Sequence, residues 1–338
     1  MKEFLSFNKL KILSYYQDAV KLLKGEIIIP RMLSVWLSQV CNLRCEFCLF
    51  SDYNREVNKF MDTRKFIEFI NEVSSLGIEG VEFCGGGESM MHPDFYQIAE
   101  YVKFKGLKVG VLTNGTVMDV ERMVKTFSYV RLSLDAVTAE LYNQLKHPVV
   151  DGMFEKVKEN AKKLVEMRGK KDKPHIGLKF LVMKDNLGYI SEAVKIAMDL
   201  KVDYIQFKRV HSSAFELTKK DEEEAERILA LCKESDRIAV VGGVRKIILK
   251  SKCFMAPIHV VMDSDGNIYV CCYFEGRDLK IGNVFENRFL DVWGSEKHKR
   301  IIGGIDINEC NKVDCRWARF NEFMGEVIKD DIMDISFI

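Results

Sequence analysis

Three cysteines fall within one short stretch, Cys41-Asn42-Leu43-Arg44-Cys45-Glu46-Phe47-Cys48, in the spacing C-x3-C-x2-C. Three thiolates are one short of a closed tetrahedral zinc site or of a fully ligated four-iron cubane. A loop this tight can hold three irons of a 4Fe-4S cluster and leave the fourth open to a substrate or cofactor. The same residues also suit part of a zinc site completed elsewhere, or three unconnected core cysteines. They lack the paired C-x2-C halves usual in zinc ribbons.

Five more cysteines gather near the other end of the chain: Cys253, Cys271, Cys272, Cys310 and Cys315. Only Cys84 and Cys232 stand apart, and Cys232, in Ile-Leu-Ala-Leu-Cys, reads as a small core hydrophobe. Gly85-Gly86-Gly87-Glu88 is a second chemical stretch. Bare backbone there either approaches a ligand or takes positive φ in an ordinary turn. A third set is Arg131, Ser133 and Asp135, which alternate with Val130, Leu132 and Leu134. The same alternation turns Lys179, Gln206 and Lys208 to one face. A lysine on an inner sheet face is costly unless paired. Either Arg131, Lys179 and Asp135 pair with one another, or the cations meet anionic ligand groups.

These residues need elements to position them, and the chain alternates strand-like and helix-like segments. Residues 8–23 read as an amphipathic lead-in helix with Leu13, Tyr16, Val20 and Leu23 on one face, ended by Gly25 and Pro30. Strands are expected over 32–39, 80–84, 107–113, 129–135, 176–183 and 202–209. Between them lie helices from about 62 (face Phe66, Ile67, Ile70, Val73), over 93–105, over 151–167, and from a cap at Asn186 to about 200. Six strand–helix repeats imply a parallel sheet, an open six-stranded partial barrel. The cysteine loop, the glycine run and Thr113-Asn114-Gly115 all fall at strand C-terminal ends, the edge where α/β barrels bind ligands. The charged run from 219 to 227 is a solvated helix start closing the barrel, and 236–252 is a bridge. A hairpin turning at Asp265-Gly266 precedes Cys271. Adjacent residues of a strand point to opposite faces, so Cys271 and Cys272 are expected to diverge.

The cysteine motif resembles the defining motif of the radical S-adenosylmethionine (radical SAM) enzymes. The resemblance covers about residues 32–318 and implies the α/β partial (β/α)6 barrel. It also implies that Cys41, Cys45 and Cys48 hold a 4Fe-4S cluster whose open iron chelates SAM, with Phe47 beside the adenine. Gly86, Gly87 and Glu88 are similar to the motif that holds the SAM amino group, with Ser89 standing where a proline often follows. Ser133 matches a position that contacts the SAM ribose or carboxylate, and Asn114, Asp135, Lys179 and Gln206 complete the cofactor-binding candidates. The C-x12-G-x4-C pattern from Cys253, with Ile281-Gly282-Asn283-Val284-Phe285 and Trp293, resembles the SPASM and Twitch auxiliary-cluster domains. Too few cysteines remain for two clusters. The shorter Twitch form, with one auxiliary 4Fe-4S cluster on Cys253, Cys271, Cys310 and Cys315, is therefore expected, against the alternative of a structural zinc. The implied organisation is a lead-in helix (1–31), the barrel (32–235), the auxiliary domain (236–318) and a C-terminal helix or tail (319–338).

A chain of 338 residues with net charge +1 has no broad attraction for nucleic acid or anionic membrane. Lysines interrupt the apolar positions of residues 1–31, no apolar run reaches membrane-spanning length, and ten cysteines without a secretory signal point to metal chemistry in the cytoplasm. The expected function is cleavage of SAM to a 5′-deoxyadenosyl radical and hydrogen abstraction from a small polar substrate, a sugar, amino sugar or nucleotide sugar. Net oxidation would be assisted by the auxiliary cluster, with a flavodoxin or ferredoxin as electron donor. The rivals are an epimerase using Cys272 or Cys84 as hydrogen donor, and a peptide maturase. Many maturases carry a leader-binding domain before the barrel, for which 31 residues are too few. A zinc-binding interaction module is the reading from another class; it gives Glu88 and Phe47 no role.

Overall fold

The computed structural model describes residues 14–50, 59–210, 215–233, 238–273, 277–312 and 315–328. Seven parallel strands pair in sequence order: β1 (Met32–Val35), β2 (Gly80–Phe83), β3 (Lys108–Thr113), β4 (Tyr129–Ser133), β5 (His175–Val182), β6 (Tyr204–Arg209) and β7 (Ala239–Gly243). The six expected strands form the open barrel sheet. β7 is an addition, placed where the sequence reading had a bridge. The charged run therefore does not close the barrel; it opens the helix Lys219–Lys233, which carries the chain on to β7.

On the far side of β1 the sheet continues into the C-terminal unit. β8 (Val260–Met262) pairs parallel to β1, and β9 (Asn267–Tyr269) and β10 (Lys280–Asn283) follow antiparallel. The Asp265-Gly266 hairpin is present as expected. One ten-stranded sheet thus joins both cysteine-bearing regions without a break.

Helices of the barrel bury apolar faces on the outside of the sheet. Numbered in chain order, α1 is Tyr16–Leu23, α2 Thr63–Val73, α3 Phe95–Phe104, α4 Val120–Thr126, α5 Ala139–Lys146, α6 Met153–Arg168 and α7 Ile190–Asp199. Asp62, Asp119 and Thr138 cap α2, α4 and α5 by accepting from Lys65 N, Arg122 N and Leu141 N. In α2, Phe69 rather than Ile67 completes the buried face, because its ring meets Phe289 at a centroid distance of 6.1 Å. α1 differs more. It buries Ala19 and Leu22 and exposes Tyr16 and Val20, since Leu22 packs with Ile28, Phe254 and Met324 of the C-terminal unit. Leu13 lies outside the described residues. Asn186 does not cap its helix with a side-chain bond. Its amide instead donates to the carbonyls of Asp135 and Leu181 and accepts from Met183 N.

The inner face of the barrel carries the alternating polar set. Tyr204 lies across the bare Cα of Gly177, where an added Cβ would stand 2.2 Å from the ring, and Tyr129 donates to Glu82. These two tyrosines fill the lumen towards the N-terminal ends of the strands. Helix α12 (Ala318–Ile328) ends the described chain, after α8 (Lys219–Lys233), α9 (Phe289–Val292), α10 (Glu296–Gly303) and α11 (Ile307–Lys312). The rest of the expected tail lies outside the described residues.

Candidate functional site

The segment entering the cysteine loop is gripped on both sides. Met61 N donates to Leu37 O and Gln39 N to Lys59 O, while Gly87 N and Glu88 N donate to Ser38 O and Val40 O at 2.7 and 2.8 Å. This ladder explains Gly87: a Cβ there would lie 2.2 Å from Val40 O. The glycine run is thus a strap that sets the height of the cysteine loop. The loop's far side docks on the C-terminal end of α5, where Arg44 N donates to Lys146 O at 2.9 Å and Glu46 N to Leu145 O at 3.3 Å. Unsatisfied carbonyls at a helix end are the natural acceptors for such a loop.

A polar hub ties the loop to strands β2 and β3. Asn114 Nδ2 donates to Asn42 Oδ1 at 2.8 Å and approaches Cys41 Sγ at 4.0 Å, and Asn42 Nδ2 donates to Thr116 Oγ1. Glu88 is buried. Its carboxylate accepts from Asn114 N at 2.7 Å, Thr113 Oγ1 at 2.9 Å and Met90 N at 3.2 Å. Burial raises its pKa, and these donors work against that rise. Within this chain the Glu88 carboxylate links the two strand ends.

Lys146 has no sequence signal beyond its place at the end of a helix, and it is the largest addition to the candidate residues. Its ammonium pairs with Asp135 at 2.9 Å, with both side chains 2% exposed, and donates to Ser133 O at 2.6 Å. Burial alone would pull this lysine down, but Asp135, Tyr142 and Cys45 outweigh it and its pKa is raised. Asp135, at φ +58°, also accepts from Leu181 N at 2.7 Å. The expected pairing of Asp135 with Arg131 and Lys179 is therefore replaced by Lys146, and Arg131 donates to Gln206 Oε1 at 2.7 Å. Phe47 sits in an apolar cluster with Leu145, Leu181, Met183 and Val210.

None of the ten cysteines is in a disulfide. Burial pushes Cys41 up to about 11 and Cys45 up to about 12, with Lys146 moderating the latter. Such thiols are inert without a metal and give up protons on ligation. Three adjacent thiols on a loop braced from both sides fit a cluster with one open iron. In the C-terminal unit, Asn321 Nδ2 stands 4.0 Å from both Cys253 Sγ and Cys315 Sγ, and Arg277 donates to Cys310 Sγ at 3.5 Å. These three thiols share one neighbourhood, with Cys315 pushed up to about 12 by burial. Among the described residues no three metal-ligating side chains are drawn together as a single ion needs.

Cys271 and Cys272 lie just beyond the end of β9 at Tyr269 and pack into different clusters. The two thiols are still close enough to act on each other's ionisation. The Cys271 thiol, together with Arg316, whose guanidinium donates to Cys272 Sγ at 3.4 Å, lowers the Cys272 pKa against the opposing effect of burial. Cys272 packs with Trp36, Cys84 and Val261 on the inner face, whereas Cys271 lies against the main core. Both candidate hydrogen donors, Cys84 and Cys272, therefore belong to one cluster.

Two family models match the chain. One, described as the radical SAM superfamily, covers residues 37–183, and the other, an iron-sulfur cluster-binding domain (SPASM), covers 253–316. A relative from Pyrococcus furiosus, "tungsten-containing aldehyde ferredoxin oxidoreductase cofactor-modifying protein", is 27% identical over 76% of this chain and 79% of its own. "Antilisterial bacteriocin subtilosin biosynthesis protein AlbA" of Bacillus subtilis is 24% identical over 80% of this chain and 61% of its own. Among solved structures, Streptococcus suis SuiB bound to precursor peptide SuiA matches with a TM-score of 0.68 and 20% identity, over 88% of this chain and 72% of that one.

Proposed function

The chain belongs to the radical SAM superfamily with a C-terminal SPASM domain, and on that premise we propose that it modifies a peptide by hydrogen abstraction at an unactivated carbon. Cys41, Cys45 and Cys48 would hold the SAM-binding 4Fe-4S cluster, and Cys253, Cys271, Cys310 and Cys315 the auxiliary one. When bound, these groups supply a 5′-deoxyadenosyl radical and a nearby one-electron acceptor. The observation that carries the reading is the unbroken sheet. β8 pairs directly with β1, which brings Cys272 of the C-terminal unit against Trp36 and Cys84 of the barrel. A substrate entering the lumen therefore touches both halves.

The chain's own residues hold rather than react. Glu88, Asn114 and Asn42 fix the cysteine loop, Lys146 and Asp135 fix the end of β4, and Tyr129 and Tyr204 keep water from the lumen floor. The likeness to the subtilosin biosynthesis protein over 80% of the chain supports a peptide substrate. A second reading, oxidation of a small polar organic molecule with a flavodoxin or ferredoxin as reductant, is supported by the cofactor-modifying relative.

The test is turnover by anaerobically reconstituted protein with SAM, dithionite and size-fractionated extract of the source cell. Mass loss of about 2 Da in species of the peptide fraction, with matching 5′-deoxyadenosine, supports the first reading. Product only in the small-molecule fraction overturns it in favour of the second.

A further inference from the structure

Among the described residues, the barrel lumen holds more cations than anions. On the inner face, Ser133 is level with Lys179, Lys179 with Gln206, and Leu181 with Lys208. Lys179 and Lys208 are thus diagonal neighbours on adjacent strands, towards the end that bears the cysteine loop. Arg131 lies on the same face, and the guanidinium of Arg316 reaches it from the C-terminal unit, close enough to act on both lysines. Among the described residues, the two carboxylates that act on these lysines, Glu82 and Asp135, also have other partners. Glu82 accepts from the Tyr129 hydroxyl, and Asp135 is held by Lys146 and Leu181 N. Among the described residues, the ammonium groups of Lys179 and Lys208 make no hydrogen bond or ion pair.

Two half-buried ammonium groups gathered beside two guanidinium groups are unfavourable without an anion among them. Burial, then Arg316 and Arg131, hold Lys208 well below the usual lysine range, while burial and Arg131 lower Lys179 against the opposing pull of Asp135. Local rules broken in this way mark functional positions more often than structural ones. Methionine or glutamine would serve the fold better at either position.

We propose that the lumen is an anion-recognition site in which Lys179, Lys208 and Arg316 receive a substrate carboxylate, the acidic side chain of the peptide. This deepens the peptide reading and rests on it. An acidic residue seated on these cations lies inside the barrel, with its neighbouring carbons towards the cysteine loop. Binding a carboxylate would also favour the charged form of both lysines, opposing the lowering that burial imposes.

The experiment uses reconstituted holoenzyme with SAM and isothermal titration of defined probes. These are glutarate and its neutral diamide, a capped Ala-Glu-Ala tripeptide and its Gln counterpart, and inorganic phosphate. The expected result is about millimolar affinity for glutarate and for the Glu peptide, with each neutral partner at least about tenfold weaker. Lys208→Met and Lys179→Met should each remove that difference, and Lys208→Arg should restore most of it. Iron content and circular dichroism verify that each variant is folded, and SAM is titrated in parallel. Glutarate bound without the peptide supports the anion site and overturns the peptide reading. Equal binding of acid and diamide, discrimination that survives both methionine variants, tighter binding of phosphate than of glutarate, or a loss confined to SAM would each overturn the inference.

Discussion

Replacing Lys146 with methionine isolates the buried ion pair that braces the cysteine loop. Methionine keeps the aliphatic stem but removes the charge that faces Asp135 at 2.9 Å and the donor to Ser133 O. Asp135 would be left 2% exposed, with Leu181 N still donating to its carboxylate. Removing one partner of such a pair costs about 3–5 kcal/mol, because the other charge stays buried and uncompensated. Against the unfolding entropy of 338 residues, that cost lowers the thermal midpoint by about 4–7 °C. Asp135→Asn with Lys146→Met removes both charges, keeps the Leu181 bond, and should recover most of the loss. The backbone bonds from Arg44 N and Glu46 N survive the substitution, so iron content should not fall. Anaerobic differential scanning calorimetry of the two singles and the double completes a thermodynamic cycle. A single-variant loss below about 1 kcal/mol, or strictly additive losses in the double, would refute the reasoning.

Cys45→Ala should lose about half of the eight irons expected from two four-iron clusters and all 5′-deoxyadenosine formation, measured by iron assay and chromatography. Gly87→Ala places a Cβ 2.2 Å from Val40 O, so the strap must shift and SAM affinity should fall by at least about tenfold while the auxiliary cluster remains. Reconstitution should speed up as pH rises from about 7 to 9, since burial holds Cys41 near 11 and Cys45 near 12 and ligation must displace their protons; a flat rate profile would contradict this. His259 is buried and lowered to about 4 by desolvation and Arg316. The unfolded chain takes up that proton first, so stability should fall as pH drops from about 6.5 to 4, by about 3 kcal/mol at the limit, and His259→Gln should remove that share and leave the one from His298, which burial also lowers to about 4.

The sequence by itself determined the chemistry of the site and the order of the elements that carry it. Cysteine spacing, glycine runs and apolar periodicity are local quantities, and each is enforced within one turn of helix or a few residues of strand. Six barrel strands, the hairpin at Asp265-Gly266 and the placement of chemistry at strand C-terminal ends were legible for that reason. What lay beyond it depends on pairings distant along the chain. Lys146 looks like any charged helix end until α5 packs beside Cys45 and Asp135, 101 and 11 positions away. Glu88 reads as a ligand holder, and only the fold shows that its carboxylate also accepts from Thr113 and Asn114, because β2 and β3 run side by side. β7 was missed because Val-Gly-Gly is a poor strand by propensity, and only pairing with β6 makes it one. Cys271 and Cys272 show the same division. Alternation separates neighbours only while a ladder holds the pleat, and where β9 ends at Tyr269 the tertiary packing, with Arg316 on one side and the core on the other, decides what each thiol meets.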